Sequence, residues 1–95
     1  MKLSLIAIVI SKDGKDTFIK SEIEKLIPLT RKEAGCLNYN LFIDNKDKNR
    51  FVLYENWESH DLWQDHMNSA HMQNYSTVTE NDVASWELIE LTQID

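Results

Sequence analysis

Several things are scarce in this chain, and each scarcity removes a class of proteins. One cysteine, Cys36, leaves no internal disulfide to form and points to a reducing compartment, with the cytoplasm as the expected location. Nothing near it would activate the thiol, so a buried, inert side chain is expected. No glycine-rich phosphate loop, nucleophile elbow or CxxC pair occurs, so nucleotide enzymes, serine hydrolases and thiol oxidoreductases find no support. Basic residues are outnumbered, ten Lys and Arg against sixteen Asp and Glu, and the formal net charge is −6. With no basic cluster interleaved with aromatics, neither nucleic acid nor a membrane surface is expected as a partner. Long hydrophobic runs are also missing. The opening MKLSLIAIVI is too short to span a bilayer and is followed by the polar SKDGKD rather than a small-residue cleavage site, so it reads as a buried strand.

What is present is a globular composition: 42% apolar residues are too many for a disordered chain. At 95 residues it forms a single domain, 1–95, near the size where one core begins to suffice. Leu3 to Ile10 is apolar on both faces after its first residues, as in a strand covered on both sides. Asp16 or Thr17 is expected to cap a helix whose inner face carries Phe18, Ile19, Ile23, Leu26, Ile27 and Thr30. Pro28 predicts a kink or restart within it, and Gly35 a left-handed cap at its end.

Cys36 to Asp44 alternates, with Leu37, Tyr39, Leu41 and Ile43 on one face and Asn38, Asn40 and Phe42 on the other. NKDKN then forms a hairpin loop, and Phe51 to Trp57 returns antiparallel with Phe51, Leu53, Glu55 and Trp57 on one side. Ser59 caps a helix over Asp61 to Met67, Ser69 caps a second over about Ala70 to Thr79, and Ala84 to Leu91 is a last strand. Strand, helix, strand, strand, helices, strand is the split βαβ order of an α+β, ferredoxin-like domain: a four-stranded antiparallel sheet with its helices on one face. The helices cover one side only, yet the first, second and last strands offer apolar groups on both. Exposed hydrocarbon costs about 25 cal/mol per Å², so a second copy is expected to cover the open side and make a barrel-like homodimer.

At Glu33-Ala34-Gly35-Cys36-Leu37-Asn38-Tyr39, at Arg50-Phe51-Val52-Leu53-Tyr54-Glu55-Asn56-Trp57-Glu58-Ser59, and at His66 with Ser69-Ala70-His71-Met72, the sequence resembles the antibiotic biosynthesis monooxygenase family. The likeness covers almost the whole chain. It implies a dimeric α+β barrel; some members oxidise polycyclic phenols or quinols with molecular oxygen and no metal or flavin, and others degrade haem. Trp57 matches the tryptophan beside the substrate in polyketide-oxidising members. Leu53 and Trp63 stand where those enzymes have an asparagine and a tyrosine, so their substrate is not implied. Against the haem-degrading members, His66 falls on a tryptophan position, Ser76 on the haem-ligand histidine, and an asparagine is missing near Ile6. His66 and His71 match instead the small quinol-oxidase-like members.

His66 is the leading catalytic candidate. Its period with Leu62 and Ala70 points it inward, and a neutral imidazole can accept a phenolic proton near working pH. The plain reading is a core histidine bonded to backbone. Trp57, Trp63, Tyr75 and Phe42 can stack on a planar substrate or simply fill the core. Asn40 and Asn56 can hold a substrate hydroxyl or face solvent. His71 starts the next helix and is the last substrate-binding candidate. A metal site from His60, Asp65, His66 and His71 is not expected, because the gap between His66 and His71 is poor spacing for one helical face. The predicted function is therefore a cofactor-independent monooxygenase acting on a small aromatic or quinol-type molecule. Two other readings share the fold: a non-enzymatic ligand-binding or stress-response module, and an isomerase using the same histidine on a small metabolite.

Overall fold

The computed structural model describes residues 2–95. Its elements are β1 (Leu3–Ser11), α1 (Asp16–Arg31), β2 (Cys36–Asp44), β3 (Asp47–Trp57), α2 (His60–Met67), α3 (Ala70–Thr79) and β4 (Val83–Leu91). All strand pairs are antiparallel, and the sheet order is β2-β3-β1-β4. This is the ferredoxin-like α+β plan predicted from the sequence, with the helices on one face. Register explains the core. Leu5 lies opposite Glu55, Val9 opposite Phe51 and Tyr39 opposite Glu55. The side chains that share their face pack with Ile19, Ile23 and Leu26 of α1 and Trp63 of α2.

Several boundaries differ from expectation, each for a local reason. The residue before α1 is Lys15, which makes no side-chain cap, and Asp16 is already helical, where its charge suits the helix dipole. Phe18 is exposed, because the inward stripe of α1 is Ile19, Ile23, Leu26 and Thr30. Pro28 does not interrupt the helix. It and Glu24 both face outward, so the Glu24 carbonyl that loses its N–H partner has water available. The hairpin loop shrinks to Asn45 and Lys46. Neither has positive φ, and the register jumps from Ile43↔Phe51 to Asp44↔Asp47, so irregular pairing in β3 absorbs the mismatch. Asp44 and Asp47 side chains accept backbone N–H groups two residues ahead and stiffen this end.

The other face of the sheet carries Ile6, Ile8, Ile10, Val52, Tyr54 and Ile89, with Glu87 beside Ile8, and among the described residues no helix lies over it. At one end of that face Ser4 donates to Asn56 Oδ1, and Asn56 Nδ2 donates to Asn38 Oδ1 at 2.7 Å. Asn56 is thus a buried structural amide. Among the described residues no helix is long and apolar enough to cross a membrane.

Gly35 lies beyond α1 rather than at its cap. It occupies the third position of a turn closed by Cys36 N donating to Glu33 O, with φ 85°. A Cβ on it would meet Leu62 Cδ1 at 2.5 Å, whereas Gly14, with φ 80°, has nothing within 4 Å of that position. Gly14→Ala is therefore expected to cost only the left-handed backbone penalty, about 1 kcal/mol, and Gly35→Ala clearly more. Urea unfolding of the two variants checks this; equal costs would show that Leu62 moves aside freely.

Candidate active site

Three segments converge beneath the helical layer. The Glu33–Cys36 turn presents Glu33, α2 presents His66, and the start of α3 presents His71. Ser69 sets the angle between the two helices: its hydroxyl donates to His66 O at 2.7 Å, ending α2, and accepts from Met72 N at 3.4 Å, starting α3. Glu33 Oε2 then lies 2.6 Å from His66 Nδ1 and 3.1 Å from His71 Nε2. The His66 ring is 1% exposed and lies 4.8 Å from the Trp57 ring and 5.6 Å, edge-on, from Tyr39.

Burial lowers the His66 pKa below its ordinary 6.5; the hydrogen bond to Glu33 and the charge of that carboxylate resist the shift, and His71 adds to it. The ring is neutral at pH 7. With a carboxylate oxygen at Nδ1, the proton sits there and donates to Glu33, which leaves Nε2 as the acceptor. His66 borders a cavity of about 520 Å³ between α3 and the β1–β4 half of the sheet. That volume suits a small organic ligand. Leu53, Met72, Leu88 and Trp86 make its walls largely apolar, while Glu55, Tyr39 and Tyr75 add polar groups. Glu55 accepts from Trp57 Nε1 at 3.0 Å. Burial pushes its carboxyl up from 4.5 to about 7, against the Trp57 hydrogen bond and with help from the Glu33 charge. Burial likewise pushes the Tyr75 phenol up to about 12, so it stays protonated.

The structure sorts the sequence candidates. His66 and Tyr75 border the cavity. Trp57 is fully buried one layer behind, holding His66 and Glu55 rather than walling the pocket. His71 reaches Glu33 from the outer side, 21% exposed. Trp63 does not line the cavity; it is buried beside His60, with its Nε1 unpartnered among the described residues. Asn40 and Phe42 are not brought to His66 either. The alternation of β2 that buries Tyr39 puts them on the far face of the sheet, both exposed. Ala70, expected on the inward face with His66, is exposed at the start of α3. His66 and His71 do converge, contrary to the one-helix argument, because they lie on two helices with a bend between them; His60 instead sits 3.5 Å from Glu90. Burial and the Glu55 and Glu33 charges push the Cys36 thiol up, in keeping with an inert group.

Glu33, Glu55, Tyr39 and Trp86 were missed as site residues. Glu55 left a signal, a lone carboxylate on a strand face otherwise made of Phe51, Leu53 and Trp57. Glu33 left only its place at the head of the EAGCLNY stretch.

A ferredoxin-like α+β domain with a carboxylate-bridged histidine pair beside an apolar cavity is the class that this fold and site define. Comparison with known proteins gives the family. The sequence profile described as antibiotic biosynthesis monooxygenase matches residues 3–78, and the chain belongs to that family. It is 29% identical over 68 residues to the Bacillus subtilis protein named "Putative monooxygenase YcnE", covering 72% of this chain and 70% of that one. Crystal structures of PA3566 from Pseudomonas aeruginosa and SO0527 from Shewanella oneidensis superpose with TM-scores of 0.95 and 0.93 at 28% and 27% identity. The first match covers 99% of this chain and 95% of that chain, the second 97% and 90%. Family and relatives support a general monooxygenase-like role.

The Glu55 carboxyl binds its proton more tightly in the folded protein than in the unfolded chain. Its contribution to stability is full below about pH 4.5 and is lost as the pH rises through about 7. Glu55→Gln keeps an acceptor for Trp57 and removes the titration. The stability of the variant relative to wild type is expected to rise by about 3 kcal/mol between pH 4.5 and pH 8. Urea unfolding across that range measures it, and His66, common to both proteins, cancels. A difference that stays flat with pH rules out the raised carboxyl.

Proposed function

We propose that the protein is a homodimeric, cofactor-independent monooxygenase that oxidises a small aromatic or quinol-type molecule with molecular oxygen. The observation that carries this reading is the neutral His66, its Nδ1 proton committed to Glu33, at the edge of a largely apolar cavity. His66 Nε2 takes a phenolic proton, and Glu33 steadies the imidazolium through Nδ1. The electron-rich phenolate passes one electron to oxygen, and the radical pair recombines at a ring carbon. One oxygen atom stays on the ring and the other leaves in water, so a hydroquinone and O2 give a hydroxyquinone and H2O. The resemblance to quinol-oxidising members supports a reaction run without metal or flavin. The lone Cys36 thiol supports a reducing, cytoplasmic setting.

Oxygen uptake with a panel of quinols tests the assignment. His66→Ala is expected to lower turnover by roughly 10²–10⁴, and the acid limb of wild-type kcat/KM should fall below pH 6.5 because the neutral ring is required. Unchanged turnover in the variant removes His66 from the chemistry. A quinol that binds without being oxidised returns the protein to the ligand-binding reading.

The homodimer is supported by the uncovered apolar side of the sheet. Ile8 lies near its middle, paired with Val52 and Glu87. An interface of the obligate kind buries about 2,000 Å² or more, and a second carboxylate at its centre, beside Glu87, adds like-charge repulsion to the loss of solvation. Ile8→Asp is expected to turn a dimer into a monomer in sedimentation at micromolar concentration. A wild-type protein that sediments as a monomer there ends the dimer proposal.

A further inference from the structure

We propose that Glu33, His66 and His71 form a three-ligand site for a divalent transition-metal cation of the zinc type, and that filling it silences His66 as a proton acceptor. The second half rests on the functional reading above; the first does not. One carboxylate oxygen and two imidazole nitrogens from three separate segments lie within 4.8 Å of one another. The Glu33 contacts are 2.6 and 3.1 Å. Ligands about 2.0–2.1 Å from a tetrahedral ion stand about 3.3 Å apart, so the Glu33–His66 contact must open by about 0.7 Å and the Glu33–His71 contact by about 0.2 Å. The donor set is right for such an ion: imidazole nitrogen suits zinc and its neighbours, and one carboxylate offsets half the charge. Access is one-sided. His66 is buried at 1% exposure, while Glu33 and His71 are 19% and 21% exposed, so a fourth position would open toward solvent and take water.

Proton accounting connects the site to the chemistry. Without the ion, Glu33 Oε2 accepts from His66 Nδ1–H and His71 Nε2–H. The ion needs the lone pairs of those same nitrogens, so the neutral His66 ring must move its proton to its other nitrogen. For His66 that places the proton on Nε2, a donor where the acceptor had been. Metal binding and proton abstraction exclude each other.

Calorimetric titration of Zn²⁺ into the full chain tests the site, with Co²⁺ absorption as a second reading and circular dichroism to confirm folding of each variant. One ion per chain is expected. Affinity should fall at least tenfold in Glu33→Gln and in His71→Ala, with the visible Co²⁺ bands lost, and should hold in His60→Ala, which alters the separate contacts with Glu90 and Trp63. His71→Gln repeats the test should the alanine variant unfold. No uptake at one ion per chain, or uptake indifferent to Glu33→Gln and His71→Ala, overturns the site. Stoichiometric Zn²⁺ should also stop quinol oxidation by wild type, and turnover that survives a filled site overturns the silencing. Because the titration needs no substrate, a failure to find any oxidisable quinol leaves the outcome for the metal site unaffected.

Discussion

The contact between Gly35 and Leu62 sets the distance on which the site depends. With no Cβ at Gly35, α2 settles against the Glu33–Cys36 turn, and Leu62 occupies space that any side chain there would claim. Glu58 N donates to Gly35 O at 2.8 Å and ties the approach to α2 onto the same turn. His66 follows Leu62 by about one helical turn, and Glu33 precedes Gly35 by two residues. The close approach therefore fixes the separation of imidazole and carboxylate. From that separation come the tautomer of His66, the free acceptor at Nε2 and the second bond from His71. A turn with an ordinary side chain at position 35 would push α2 outward and lengthen a 2.6 Å contact that leaves little margin.

Two acids sit near His66, and they differ in burial. Glu33 keeps partial contact with water and receives two ring N–H groups. Glu55 is 3% exposed and receives one indole N–H. A single hydrogen bond to a charged group contributes roughly 1.5–3 kcal/mol, less than the several kcal/mol that desolvation of a carboxylate costs. Desolvation wins at Glu55, whose carboxyl titrates at about 7. The cavity thus holds one neutral base and one acid that changes from donor to acceptor near neutrality. On the proposed reading, that combination suits a substrate with more than one hydroxyl better than a hydrocarbon.

Alternation and spacing made the fold legible. The strand faces of β3 and β4, and of β2 from Asn38 onward, followed from period two, while an irregularity between Cys36 and Asn38 leaves Leu37, expected beside Tyr39, exposed; Ser59 and Ser69 cap the helices that their positions suggested. The inward placement of His66 was legible for the same reason, though Ala70 was the wrong companion. What the sequence hid was long-range. Glu33 and His66 are 33 positions apart, and no local pattern signals that one turn and two helix ends meet. Asn40 and Phe42 border a separate hollow beside α1 rather than the His66 cavity, although their face was read correctly, because the side of the sheet that holds the cavity depends on which face the helices cover. Trp57 was recognised by resemblance as a substrate neighbour, yet geometry puts it behind the imidazole. Trp86, read only as part of a strand face, is the tryptophan that borders the cavity.

The break between α2 and α3 has two effects that a single long helix could not combine. A straight rod over the twenty residues 60–79 would run about 30 Å and could lie along the sheet as α1 does. Bent at Asn68 and Ser69, its two pieces are about 12 and 15 Å long, and α3 leans on α1 rather than lying over β4. The bend turns His71 back toward Glu33 and so assembles the polar cluster. It also leaves Trp86 and Leu88 of β4 without a helical cover, and the cavity opens there. Filling that space with a continuous helix would recover buried apolar area, but it would carry residue 71 past Glu33. The looser helical layer is thus tied to the arrangement of the reactive groups, through the one serine that ends one helix and begins the next.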